Sequence, residues 1–247
     1  PVIKDEMHFV FTYVGKDFVT PTAVVEGNNP PGPLPPDVAA QIGPTTLPFH
    51  EDLYFGKLDY SPTDSDLFEL TGKYRSEKQR DNVGDQDAAS FGSDIVNDEK
   101  RADLRWLHTA DRWQNDAHLT WEDTSWGPRP VTNGNASVYA VASDNNRRLL
   151  NVGAGANFQN KGQEGPALQD DFSLTDLHWE GDHLVKMGLK YKEVKLSTQE
   201  INPANPQFFF NVTAAGADQD PYKAFFGVPL AGVGNGTAES KNKQFGT

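Results

Sequence analysis

Two pairs of adjacent carboxylates, Glu122–Asp123 and Asp170–Asp171, are the first candidates for chemistry in this chain. Glycoside hydrolysis uses two carboxyl groups, about 5–10 Å apart across a cleft, as acid and as base or nucleophile. Neighbours in a strand point to opposite faces, so neither pair can flank one bond unaided. Six histidines, His8, His50, His108, His118, His178 and His183, form no HExxH motif. His178 and His183 flank a turn and could share a cation; a turn histidine in solvent is the simpler account. The segment DNVGDQD (81–87) spaces Asp85 and Asp87 as calcium loops do. It lacks the Gly and terminal Glu at the offsets those loops require, and reads as a solvated loop with weak divalent binding at most. GVGNG (232–236) has no strand before it and no helix after it, which argues against a phosphate loop. With no GxSxG and no cysteine, a nucleophile elbow and thiolate chemistry are both excluded. These residues read as a non-enzyme, with no cofactor and no metal.

The elements that would carry them are strands. The chain has 247 residues, of which 36% are hydrophobic and 11% aromatic, with 22 Gly and 17 Pro. Aromatic content of this size separates it from disordered chains. Gly and Pro favour strands joined by turns over helices. The net charge of −13 makes nucleic acid and anionic membrane surfaces poor partners. No run of 18 apolar residues is present, so no transmembrane helix is expected. The only helical stretch is DVAAQI (37–42), worth two turns at most.

Period-two alternation recurs at 8–15, 53–60, 67–76, 100–109, 115–123, 167–177 and 182–193. In the third of these, Phe68, Leu70, Gly72 and Tyr74 oppose Glu69, Thr71, Lys73 and Arg75. Three connections are short (61–66, 110–114, 178–181) and four are long (16–52, 77–99, 124–166, 194–240), in strict alternation. Outer-membrane barrels place short turns at one end and long loops at the other; soluble sandwiches rarely do. One face carries Tyr54, Leu70, Trp106, Leu119 and Leu189, read as lipid-facing. The other carries Lys73, Arg105 and Lys190, read as lumen-facing because mid-strand charge avoids a dry core. A sheet with one face on a core and one in water explains the alternation equally well, but not the loop lengths. The aromatics Phe208, Phe209, Phe210, Tyr222, Phe225 and Phe226 fall in the longest loop. They read as a small core of that loop before they read as a ligand face.

Several segments, in order, resemble TonB-dependent outer-membrane receptors, notably the Oar-like group. They are PVIKDEMHFVFTYVGKD (1–17), LPFHEDLYFGKLDYSPTDSDLFELTGKYR (47–75), FQNKGQEGPALQDDFSL (158–174), GDHLVKMGLKYKEVKLS (181–197), NPQFFFNVT (205–213) and SKNKQFGT (240–247). The alternation that starts at Lys241 stops early, which points to a segment of something longer. The resemblance implies that residues 1–247 are part of a single all-β domain. That domain would be an antiparallel up-and-down transmembrane β-barrel, represented by a partial barrel of about seven or eight strands with long extracellular loops. It further implies a TonB-dependent receptor and transporter segment for an unidentified nutrient, in the outer membrane of a Gram-negative bacterium. The implied partners are membrane lipid and the inner-membrane TonB complex, reached through a plug and box outside this sequence. No ligand-binding residue carries over. The expected sheet is curved and has two free edges, with the apolar residues on its convex face and the charged ones on its concave face. Two rival readings stand. One is a soluble secreted β-rich glycan-binding module using Trp113, Trp126 and Trp179. The other is a glycan hydrolase using Glu122, Asp123, Asp170 and Asp171.

Overall fold

The computed structural model describes residues 3–4, 6–178, 180–229 and 237–246. GVGNG (232–236), Trp179 and Thr247 lie outside them, as do Pro1, Val2 and Asp5. In chain order the elements are β1 (Met7–Val24), α1 (Pro36–Ala39), β2 (Gly43–Thr63), β3 (Asp66–Asp81), β4 (Ser93–Thr109), β5 (Trp113–Pro130), β6 (Ala136–Val141) and β7 (Arg147–Gly153). Then follow β8 (Phe158–His178), β9 (Asp182–Asn202), β10 (Gln207–Thr213), β11 (Gly216–Ala217), β12 (Lys223–Phe225), β13 (Val228–Pro229) and β14 (Thr237–Gly246).

A nine-stranded antiparallel sheet runs β1-β2-β3-β4-β5-β8-β9, with β13 and β14 both on β9. Its tight turns use local chemistry. Thr63 Oγ1 accepts the amides of Ser65 and Asp66 at 3.3 and 3.1 Å, and its hydroxyl donates to Asp66 Oδ2 at 2.8 Å. Such side-chain bonds to a nearby backbone are why Thr and Asp recur in turns. The β8–β9 turn ends on Glu180 and Gly181 with φ of +52° and +145°, left-handed values that tight hairpins require.

The strands run well past the alternation visible in the sequence: β3 continues to Asp81 and β4 begins at Ser93. Apolar alternation ends near Tyr74, but pairing does not. Arg75 pairs with Glu51 and Glu77, and Lys78 and Arg80 both pair with Asp94. Backbone ladders and cross-strand ion pairs extend a sheet without any apolar residue. The long connections shrink accordingly.

Register sorts the two faces. The row Phe9, Leu58, Leu70, Leu104, Leu119, Leu168, Tyr191 and Phe245 crosses the sheet strand by strand on one face. Leu119 in its middle is 54% exposed. Aromatics flank the row, with Tyr13, Tyr54 and Tyr74 in ring contact on one side and Phe68 stacked on Trp106 on the other. On β2 the band from Tyr54 to Tyr60 is about 20 Å deep at ~3.3 Å per residue. Asp170 also falls on this face, where its carboxylate accepts Asn115 Nδ2 at 2.8 Å.

The buried core lies elsewhere. A five-stranded sheet, β11-β10-β6-β7 with β12 on β10, is built from the connections at one end of the large sheet. Leu149 and Leu150, neighbours on β7, are both fully buried, so this short strand is covered on both faces. Val38 of α1, Val24, Leu34, Tyr139 and Val212 pack with them. The expected loop core exists but is larger than the aromatic run: Phe210 stacks on Tyr139 at 5.4 Å, and Phe209 meets Phe225 edge-on at 5.3 Å.

These findings correct the fold expectation. Among the described residues, β1 pairs only with β2 and β14 only with β9, which leaves the two free edges expected; the barrel wall is what is not found. The sheet is neither closed into a barrel nor strongly curled. Closure requires every strand to have two partners and a matched shear, and these strands do not meet that condition. The transmembrane β-barrel and β-barrel membrane-protein readings give way to an open antiparallel sheet capped by a second, smaller one. The functional expectation falls with them. A transport path needs a wall closed around a lumen, and this sheet encloses none, so the reading as a segment for TonB-dependent nutrient uptake is overturned. The open architecture accords better with a β-rich binding module.

Candidate binding site

Where the small sheet meets the large one, the chain leaves a hollow of about 430 Å³. Five separate segments line it. Asn82, Asp87 and Phe91 come from the β3–β4 connection and Ser93 from the start of β4 that ends it, Val138 and Arg148 from β6 and β7, and Asn157 from the entry to β8. Asn202 and Pro203 close β9, and Gln207, Phe209 and Phe225 come from β10 and β12.

Local geometry places each of these. Asn82 takes φ +55° directly after β3, a conformation Asn tolerates, and turns the chain back. The loop is tied down on both sides. The Val25 amide donates to Asp85 O at 2.6 Å, the Ala88 amide to Asn151 O at 2.9 Å, and the Asn151 amide to Gln86 O at 2.7 Å. Gln207 is buried and donates Nε2 to the carbonyls of Ala154 and Asn205 at 3.2 and 2.8 Å, which holds the β10 entry against the β7–β8 connection.

Asp87 is the most perturbed group in the hollow. Burial pushes its carboxyl up from the usual range, against an opposing hydrogen bond from Asn151 Nδ2 at 2.6 Å and the charge of Arg148. The Asn151 Oδ1 is buried without a hydrogen-bond partner. Asp87 is thus a half-buried carboxyl and not the solvated loop residue expected. Among the described residues no three His, Asp or Glu side chains converge to hold a metal ion. The raised value sets the sign of a pH effect. The folded carboxyl holds its proton more tightly than the unfolded one, so its charge opposes folding above the folded pKa. That penalty lifts as pH falls through the folded pKa. Asp87→Asn is expected to raise the protection of the Ala88 and Asn151 amides against hydrogen exchange at neutral pH and, relative to the intrinsic exchange rate, to remove the pH dependence of that protection over the carboxyl range. Unchanged pH dependence in the variant would show that Asp87 is not the group responsible.

The residues singled out in the sequence fall into two sets. Lys73, Arg105 and Lys190 share the polar face. Lys73 donates to Glu99 at 2.8 Å. Arg105 donates Nε and Nη2 to Asp116 at 2.7 Å each and Nη1 to Glu69 at 2.6 Å. Tyr54, Leu70, Trp106, Leu119 and Leu189 share the opposite face, all exposed. Neither set lines the hollow. The stacking tryptophans do not line it either. Trp113 is sandwiched between His108 at 4.5 Å and Phe172 at 5.7 Å, so both its ring faces are occupied. Trp126 is exposed on the polar face with Lys161 Nζ 5.8 Å from its ring centre.

The carboxylate pairs are likewise apart. Glu122 accepts Gln163 Nε2 at 2.8 Å on one face, while Asp123 faces Lys100 at 3.7 Å on the other. Asp171 accepts Gln169 Nε2 at 2.6 Å on the face opposite Asp170. His178 meets Asp182 at 3.2 Å across its turn. Of the hollow's residues the sequence singled out Asp87, as a solvated loop residue, and Phe209 and Phe225, as a loop core; the rest come from separate short stretches that form no local pattern.

No family model matches the chain, and no curated protein matches it. Among solved structures, it is similar to the crystal structure of the outer membrane transporter YddB from Escherichia coli, with a TM-score of 0.66 at 12% identity. The match covers 99% of this chain and 30% of that one. The chain therefore shares a β-rich fold with part of that structure and spans under a third of its length.

Proposed function

We propose that this chain is a β-rich binding module seated at the outer membrane of a Gram-negative bacterium, and that its intersheet hollow takes a neutral, hydroxyl-rich ligand of the glycan class. The observation that carries the binding reading is the lining of the hollow. Asn82, Asn157 and Asn202 offer amide groups that both donate and accept, Asp87 and Arg148 add a carboxyl and a guanidinium, and Phe91, Phe209 and Phe225 supply apolar walls. Sugars need both: hydroxyls pair with amides and carboxyls, and their C–H faces lie on aromatic rings. The membrane seat is supported by the exposed apolar row with its aromatic borders and by the shared fold. Membership in the Oar-like group of receptors rests on the resemblance of the six segments above.

Calorimetric titration with a panel of neutral oligosaccharides tests the reading. Phe225→Ala removes a wall that is 47% exposed and not part of the buried core. It is expected to weaken binding about tenfold while leaving the small sheet folded, as loss of one aromatic anchor typically does. If no oligosaccharide binds, or the variant binds as tightly, the hollow is not a glycan site.

A further inference from the structure

On the polar face of the large sheet, away from the intersheet hollow, β4, β5, β8 and β9 enclose a second depression of about 360 Å³. We propose that it is a binding site for a small polyanion, such as a phosphate ester or a di- or tricarboxylate, held by Arg101, Lys190 and Lys192. The proposal does not rest on the glycan reading.

Charge pairing carries the argument. Five cations on this face have a carboxylate: Lys16 has Glu51, Lys57 has Glu69, Lys73 has Glu99, Arg75 has Glu51 and Glu77, and Arg105 has Glu69 and Asp116. Among the described residues, Arg101, Lys190 and Lys192 have no ion pair or hydrogen bond, and all three line the depression. The carboxylates beside them are already engaged. Asp103 accepts the Thr120 hydroxyl at 2.5 Å and faces His118 Nδ1 at 3.3 Å, and Glu122 accepts Gln163. Arg101 also sits directly opposite Lys73 in the β3–β4 register. Like charges placed opposite each other destabilise a sheet pair, and an anion between the strands would offset this. The depression also holds two carboxylates, Asp103 and Glu122, the latter directly opposite Arg101, so its three cations leave a small excess of positive charge in a chain of net charge −13.

Small residues make the space. Ala167 lies between Thr120 and Lys192 in one cross-strand row, and Gly165 lies opposite Glu122 in the next. Longer side chains at 165 and 167 would fill the depression and reach the cations. Guanidinium and ammonium groups converging on an open floor suit oxyanions, with Arg able to bind in fork geometry.

The test is calorimetric titration of the full chain with inorganic pyrophosphate at low ionic strength, with citrate as competitor. Expected is saturable single-site binding that citrate displaces. It should weaken about fivefold for each of Arg101→Gln, Lys190→Gln and Lys192→Gln. Lys161→Gln removes a cation on the same face outside the depression and is expected to leave binding unchanged. Ala167→Trp keeps every charge but fills the floor, and is expected to abolish binding. Circular dichroism reports whether each variant folds, and if Ala167→Trp does not, the three charge variants decide. Binding that survives removal of all three cations, or that Lys161→Gln weakens as much, would overturn the proposal. So would undiminished binding by folded Ala167→Trp.

Discussion

Leu149→Ala is expected to cost the small sheet about 3 kcal/mol. The side chain is fully buried on β7, a strand covered on both faces, and packs with Val24, Val38, Tyr139 and Val212. Truncation removes transfer energy and leaves a void that the parallel β6–β10 pairing and its neighbours cannot collapse into without breaking their ladder. Local exchange separates this from global unfolding. Amides of β6, β7 and β10 are expected to lose protection by roughly a hundredfold, while β3, β4 and β5 keep theirs. Because Arg148 precedes Leu149 and lines the intersheet hollow, ligand binding there is expected to weaken in parallel. Uniform loss across both sheets would mean that the small sheet is not a separate packing unit.

The second large effect concerns the exposed apolar face. Leu119→Lys is expected to reduce partition into zwitterionic phosphatidylethanolamine–phosphatidylcholine vesicles by about 2–4 kcal/mol, the cost of a lysine at the middle of a lipid-facing sheet surface. Leu119 stands at the centre of the row from Phe9 to Phe245, where a charge has the longest path to water. Lys190→Gln, on the opposite face, is expected to leave partition unchanged. Flotation of both variants beside the unaltered chain reads the outcome. Equal flotation of Leu119→Lys and the unaltered chain would remove the lipid contact from the proposed function.

Strand existence and facing were legible because both are local. In the segment 67–76 a period of two is visible in ten residues, and the register keeps Leu70 and Lys73 on opposite faces as that period requires. The turn at 63–66 was legible for the same reason: a threonine and an aspartate satisfy their own backbone. Strand length was not. Residues 77–81 and 93–99 carry charge on both sides of the strand and look like loop, yet they pair throughout because Asp94, Glu77 and Arg80 find partners across the ladder. An ion pair is a property of two strands and leaves no period in either.

The barrel wall was misjudged for a related reason. Alternating faces and uneven connections describe how neighbouring strands pair and say nothing about how strongly the whole sheet curls. The small sheet was the other blind spot. Its central pairing joins Ala136 to Gln207 in parallel, with the β8–β9 hairpin between them in sequence. No window of sequence spans such a contact, and five of the segments that it gathers built the hollow.

By itself the sequence determined an all-β chain, its two chemically distinct strand faces and its tight turns, because backbone pleat and turn chemistry act between residues a few positions apart. Only the tertiary structure decided that the sheet does not curl into a barrel wall, that the long connections fold into a second core, and that Arg101, Lys190 and Lys192 line one depression without ion pairs of their own. Each of those depends on which distant strands become neighbours, and pairing energy is exchanged across the ladder, not along the chain.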